Sequence, residues 1–222
     1  MTLLPDHLIE QCIHTKDLLI DPFFTTFLGP ETYYLHLGHR FYRPKLNTPP
    51  MHLGSATESQ IRDCFDYFET LGDITLQPHE FLLAETFEYI GVSADYVIQL
   101  FNSSTLARFG IHQASTGLVH AGCGMPNPGK ITLELYNSSP FILQLSPTQF
   151  AADGAIQFGT EIMRIVVHPL VSPPRVDYGQ WKKGIYGKNT VELGRPFARA
   201  TFEEFRIPPS SLHLTQDYEC HD

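Results

Sequence analysis

The chain has 222 residues, 42% of them hydrophobic and 18% charged, with 24 Asp and Glu against 15 Lys and Arg for a formal net charge of −9. That composition can bury a core and excludes wholesale disorder. The acidic balance argues against a non-specific hold on nucleic acid but leaves room for a phosphate-bearing small molecule, which a few local cations satisfy.

The first stretch, Leu3 to Cys12, carries Leu4, Leu8, Ile9 and Ile13 at helical spacing, with Asp6 as a cap, and predicts a short N-terminal helix. The opening residues are acidic and lack a basic n-region, so no secretory signal is expected and the protein is expected to be cytoplasmic. Leu18 to Ile20 reads as a brief strand stopped by Asp21-Pro22, and Tyr33 to Leu37 as a half-buried strand ending at Gly38. From Pro44 to Asp73 the pattern weakens: Pro49-Pro50 and Gly54-Ser55-Ala56 are loop-like, and Gln60 to Leu71 fits a helical turn or two. The expectation for 44–73 is an insertion or flexible excursion. Ile74 to Leu76, Phe81 to Thr86, Val97 to Phe101, Ile131 to Tyr136, Phe141 to Leu145 and Ile162 to Val167 are strand-length runs bounded by Gly, Pro, Asn or Ser. Short strands with little helix between them predict a mainly β sandwich or barrel. Residues 1–172 are read as this β domain. Residues 173–222, with Tyr178, Trp181 and Tyr186 among Lys182, Lys183 and Lys188, are read as a mobile arm that orders against something. No apolar run approaches the roughly 18 residues of a membrane helix.

Several chemistries lack their signatures. There is no G-x-S-x-G elbow, no dinucleotide loop, no GK[ST] ending and no zinc-deaminase pattern. Cys12, Cys64, Cys123 and Cys220 form no CxxC pair and read as reduced thiols. His120 and Cys123 are three apart, but no second close pair completes a metal site.

In Ile131-Thr132-Leu133-Glu134-Leu135-Tyr136, alternation puts Glu134 on the face opposite Ile131, Leu133 and Leu135, beside Thr132 and Tyr136. Two readings are open: a solvent-facing residue in an ordinary polar-out pattern, or a carboxylate held on a rigid strand to handle a proton. In Asn102 to Gly110, Ser103 or Ser104 can cap a short helix whose last turn carries Arg108, with Gly110 as its stop.

The pieces LQPHEFLLAETFE, FNSSTLARFG and HAGCGMPNPGKITLELYN, in that order, resemble the deoxycytidine triphosphate deaminases of the trimeric dUTPase-like superfamily. The N-terminal LIDPF and HLGHRF are also similar to that family. The resemblance implies a dUTPase-like, distorted β-barrel or jelly-roll-like (β-clip) fold and a homotrimer with sites built at subunit contacts. It also implies zinc-independent deamination of dCTP to dUTP and ammonia, with Mg²⁺ carried on the triphosphate. By position, Glu134 becomes the general base and acid, Arg108 stabilises the attacking water and developing charge, and Ser104 helps place the water. Nucleotide contacts fall to Ser103, Thr116, His120, Tyr186, Lys188 and Asn189. The sequence departs from the family where an arginine gives way to Ser103 and an aspartate to His120, and where the loop before the Glu134 strand is longer. Those departures keep two alternatives in view: a catalytically altered nucleotide-binding homologue on the same scaffold, or a dUTP pyrophosphatase.

Overall fold

In the computed structural model, residues 2–52, 58–114 and 117–181 are described. Helix α1 (Asp6–Thr15) buries Ile9 and Cys12 and ends at Lys16, whose φ of 63° turns the chain back. Asp6 opens the helix rather than capping it from outside. Pro5 holds the N-cap position, and the Asp6 carboxylate accepts the His7 N–H at 2.7 Å, which lowers its pKa.

The strands follow as β1 (Leu18–Asp21), β2 (Tyr33–His36) and β3 (Arg40–Pro44). Then come α2 (Glu58–Arg62), β4 (Phe65–Glu69), β5 (Ile74–Leu76), β6 (Phe81–Val92) and β7 (Tyr96–Asn102). The remainder is α3 (Ser104–Arg108), β8 (Ile111–Gln113), β9 (Leu118–Val119), β10 (Gly129–Asn137), β11 (Leu143–Leu145), β12 (Gln149–Phe150), β13 (Ile156–Gln157) and β14 (Glu161–Pro169). One sheet runs β4-β3-β6-β10-β8, with β1 on the far half of β6; a second runs β2-β14-β7-β9. Leu82, Ala84, Leu133 and Leu135 from the first sheet and Ile98, Leu100, Ile165 and Val167 from the second belong to one buried cluster, so the two sheets share a core. A bridge between Leu37 and Thr86 ties the sheets at one edge. The chain is mainly β, as the strand spacing implied.

Four differences from the sequence reading stand out. Within 44–73, the expected helical turns shrink to α2, and Phe65–Glu69 is a strand antiparallel to β3; Ile61 is 3% exposed and packs with Tyr42 and Leu83. Strand β6 does not stop at Thr86 but continues to Val92, because Glu85 and Glu88, each 1% exposed, are neutralised inside the protein instead of facing water. Phe141 and Ile142 are exposed and outside β11. The arm expected to start at 173 turns back at its root: Tyr178 N–H donates to the Ala121 carbonyl at 2.9 Å, and Asp177 lies against Gly122.

Among the described residues no helix is long and apolar enough to cross a membrane.

Candidate active site

Strand β10 carries the carboxylate as alternation predicts. Leu133 and Leu135 are 0% and 2% exposed in the core, while Glu134 is half-buried and lines a cavity of about 230 Å³ together with Thr132. The cavity is small against the roughly 300–1,000 Å³ of typical small-molecule sites, so a ligand larger than a ring and its sugar extends beyond it. Strand β10 pairs with β6 through Glu134↔Leu83, and a register shift between Lys130 and Thr132 re-aims the strand's start. That irregularity lets Ile131 line the cavity as well.

The residue opposite the carboxylate is one the sequence did not announce. Gln113, at the end of β8, donates from Nε2 to Glu134 Oε2 at 2.7 Å and accepts the Glu134 N–H on Oε1 at 2.9 Å. A glutamine in a three-residue strand has no periodic signature, and only the pairing of β8 with β10 brings it here.

His120 lines the same cavity from the loop after β9. Its ring is face-stacked on Tyr178, 5.2 Å between centroids and 6° between planes, and Trp181 closes edge-on at 6.4 Å. The root of the arm therefore supplies one wall of the cavity, with His120 and Tyr178 as its panel. Cys123 lines it too, and burial pushes its thiol up to about 11. No group of three or more His, Cys, Asp or Glu side chains among the described residues is arranged to hold a metal ion.

Beside the cavity is a buried ionic cluster. Lys130, 5% exposed, places Nζ 3.0 Å from Glu85 Oε1, and Arg40 donates from Nε to the same oxygen at 2.9 Å, with Nη2 2.6 Å from Oε2. The Glu85 carboxylate raises the Arg40 pKa, while burial, and after it the Lys130 ammonium, lowers that of His39. A second buried carboxylate, Glu88, takes the His36 N–H at 2.9 Å and meets its Nδ1 at 2.7 Å. These pairs anchor β6 behind β10 and so fix the strand that positions Glu134.

The serine turn forms as expected but stands elsewhere. α3 spans Ser104–Arg108 with Ser103 at its N-cap, and Gly110 follows at φ 86°. Ser103 is 2% exposed, whereas Ser104 and Arg108 are exposed and do not line the cavity of their own chain. Gly110 is fixed by the Ser138 N–H at 2.8 Å, four residues beyond Glu134, or roughly 13 Å along the strand. One chain thus brings together Glu134 and His120 of the expected set, and leaves Ser103, Ser104 and Arg108 outside that cavity. Thr116, Tyr186, Lys188 and Asn189 lie outside the described residues, as do Lys182 and Lys183.

Comparison with known proteins adds to this geometry. A family model described as dCTP deaminase-like matches residues 3–152. The chain is 29% identical over 228 residues to "dCTP deaminase, dUMP-forming" of Methanopyrus kandleri, covering 96% of this chain and 97% of the relative. It is 32% identical over 149 residues to the protein of the same name from Coprothermobacter proteolyticus, covering 65% of this chain and 76% of that one. Among solved structures, 2'-deoxycytidine 5'-triphosphate deaminase from Agrobacterium tumefaciens superposes with a TM-score of 0.53 at 15% identity, covering 76% of this chain and about half (48%) of that chain. At that identity the likeness concerns the fold.

Proposed function

Because the chain belongs to the dCTP deaminase-like family, we propose that it hydrolytically deaminates dCTP, with Glu134 as the group that moves the protons. The observation that carries this reading is a half-buried carboxylate on a rigid strand, oriented by Gln113 at the wall of a small cavity. Partial desolvation makes a glutamate a stronger base, and donors on its oxygens keep it ionised. Glu134 takes a proton from water, and the hydroxide adds to C4 of the cytosine. The same carboxyl gives that proton to ring N3, then takes the proton of the new C4 hydroxyl and passes it to the amino group, so that ammonia departs and C4 becomes a carbonyl. Water and dCTP give dUTP and ammonia. The zinc independence of this route is carried over from the resemblance, and Mg²⁺ enters as part of the substrate, on the triphosphate.

The transition state places negative charge on the attacking oxygen, and a guanidinium there stabilises it. Arg108 and Ser104 are exposed and outside the cavity of their own chain, so this reading takes them from a neighbouring copy, within a homotrimer whose sites are shared. The nucleotide's sugar meets the His120–Tyr178 wall, and its phosphates extend past the cavity toward the C-terminal arm.

A second reading concerns the product. The relatives named above are called dUMP-forming, which adds a hydrolysis of dUTP to dUMP and pyrophosphate at the same site. Incubation with Mg²⁺ and dCTP, with ammonia measured and nucleotides separated, distinguishes dUTP from dUMP plus pyrophosphate. No ammonia from dCTP, dCMP or deoxycytidine refutes the deaminase; a nucleotide that raises Tm without being changed then supports a binding homologue. Shared sites are tested by mixing. Arg108→Ala and Glu134→Gln are each inactive alone, and after co-refolding they recover up to about a quarter of wild-type activity, the fraction of sites drawing both intact groups from different copies. No recovery removes the shared-site arrangement.

A further inference from the structure

Strand β8 pairs with β10 through Ile111, His112 and Gln113, opposite Asn137, Tyr136 and Leu135. The ladder continues for one more bond, from the Ala114 N–H to the Glu134 carbonyl at 2.7 Å. The reciprocal bond of a regular antiparallel pair would run from the Glu134 N–H to the Ala114 carbonyl. Instead that N–H goes to Gln113 Oε1 at 2.9 Å, and the other end of the same amide donates to Glu134 Oε2 at 2.7 Å. One side chain therefore grips both the backbone and the carboxylate of a single residue. The amide has only one workable orientation, because a backbone N–H requires the oxygen end and a carboxylate requires the NH₂ end. Gln113 is itself fixed: it is 8% exposed, and its N–H donates to Asn102 Oδ1 at 3.0 Å, at the end of β7.

We propose that Gln113 is a positioning residue for the proposed reaction, its amide holding the Glu134 carboxylate in one orientation and favouring its ionised form. The inference rests on the reading of Glu134 as the proton-moving group. A free glutamate side chain samples several rotamers, and a small misplacement of a general base is costly in rate. A donor on the carboxylate favours the form that accepts a proton from water. Among the described residues, the other titratable groups lining the cavity are His120, Cys123 and Tyr178 on its loop and arm walls and Lys130 on β10, its ammonium on Glu85. None of these supplies the in-plane grip on backbone and carboxylate that Gln113 makes.

The test uses Gln113→Met, which keeps the length and volume but removes both hydrogen-bonding ends, and Gln113→Glu, which keeps an acceptor for the backbone N–H but brings a second acid to the carboxylate. For Gln113→Met the expected result is a fall in kcat of about 10-fold or more with KM within about 3-fold. The acidic limb of the kcat/KM profile moves to higher pH, and moves further in Gln113→Glu. A side-chain ¹³C titration of Glu134, assigned by its loss in Glu134→Gln, reads the same shift without turnover. Wild-type kcat and an unmoved carboxyl titration in Gln113→Met overturn the proposal, as does a fall in kcat that follows a fall in Tm while the titration stays in place. If the wild-type protein deaminates nothing, the functional reading fails by that assay, and the titration still decides whether Gln113 governs the carboxylate.

Discussion

Replacing Glu85 is the sharpest test of how β6 and β10 are held. Its carboxylate, 2% exposed at the side chain, is shared by the Lys130 ammonium and the Arg40 guanidinium, so the cluster carries one surplus positive charge. Glu85→Gln leaves two cations facing a neutral amide. Removing one partner of a buried ion pair costs about 3–5 kcal/mol, most of it from the charge left without compensation. Arg40 is 26% exposed and can turn toward water, which places the expected loss near the lower end, about 3 kcal/mol. Lys130→Met behaves differently. It leaves a neutral Arg40–Glu85 pair and keeps an apolar stem near Phe87 and Tyr89, whose rings lie 5.9 and 5.1 Å from the ammonium. Only one charged hydrogen bond is lost, worth about 1.5–3 kcal/mol and partly offset by the relief of burying the lysine. Urea unfolding at neutral pH and fixed protein concentration, with thermal melts alongside, should rank Glu85→Gln as the more damaging by at least about 1 kcal/mol, or several degrees in Tm. If Lys130→Met is equally or more destabilising, Glu85 is not the centre of the cluster and the charge argument is wrong.

Two further expectations follow from shifted groups. Burial holds the Cys123 thiol at about 11 against an ordinary 9.0, so at pH 8 its thiolate fraction, and with it the rate of iodoacetamide labelling, falls on the order of 100-fold below that of the urea-unfolded chain; peptide mapping that finds equal rates contradicts the enclosed cavity wall. His39 is depressed below 6.5 by burial and by Lys130. The unfolded chain therefore binds its proton first, and the stability contribution is present above about pH 6.5 and lost as pH falls through the folded value. The pH dependence of unfolding should be shallower in His39→Gln over that window, and identical slopes would remove His39 from the account.

What the sequence made legible was local. The Glu134 strand could be read because Leu133 and Leu135 flank it in strict alternation, and α3 because a serine, an arginine and Gly110 stand at helix-end spacing. The buried charges were not legible, because Glu85 and Glu88 look like ordinary solvent-facing residues until Arg40, Lys130 and His36, each more than 40 residues away in sequence, are folded onto them. Gln113 was missed for the same reason: its function depends on which strand lies beside it. The relatives' names point to dUMP, a distinction for which a single carboxylate on β10 carries no sign in the sequence.

The return of residues 177–181 onto the His120–Gly122 loop bears on how this protein can be shortened. A chain trimmed where β14 ends would lose more than a tail: with Tyr178 and Trp181 gone, the His120 imidazole loses its stacking partner and the pocket that Glu134 also lines loses a wall. Trimming that spares Trp181 keeps both rings of the wall, and a comparison of the two lengths separates the wall's contribution from that of residues 182–222.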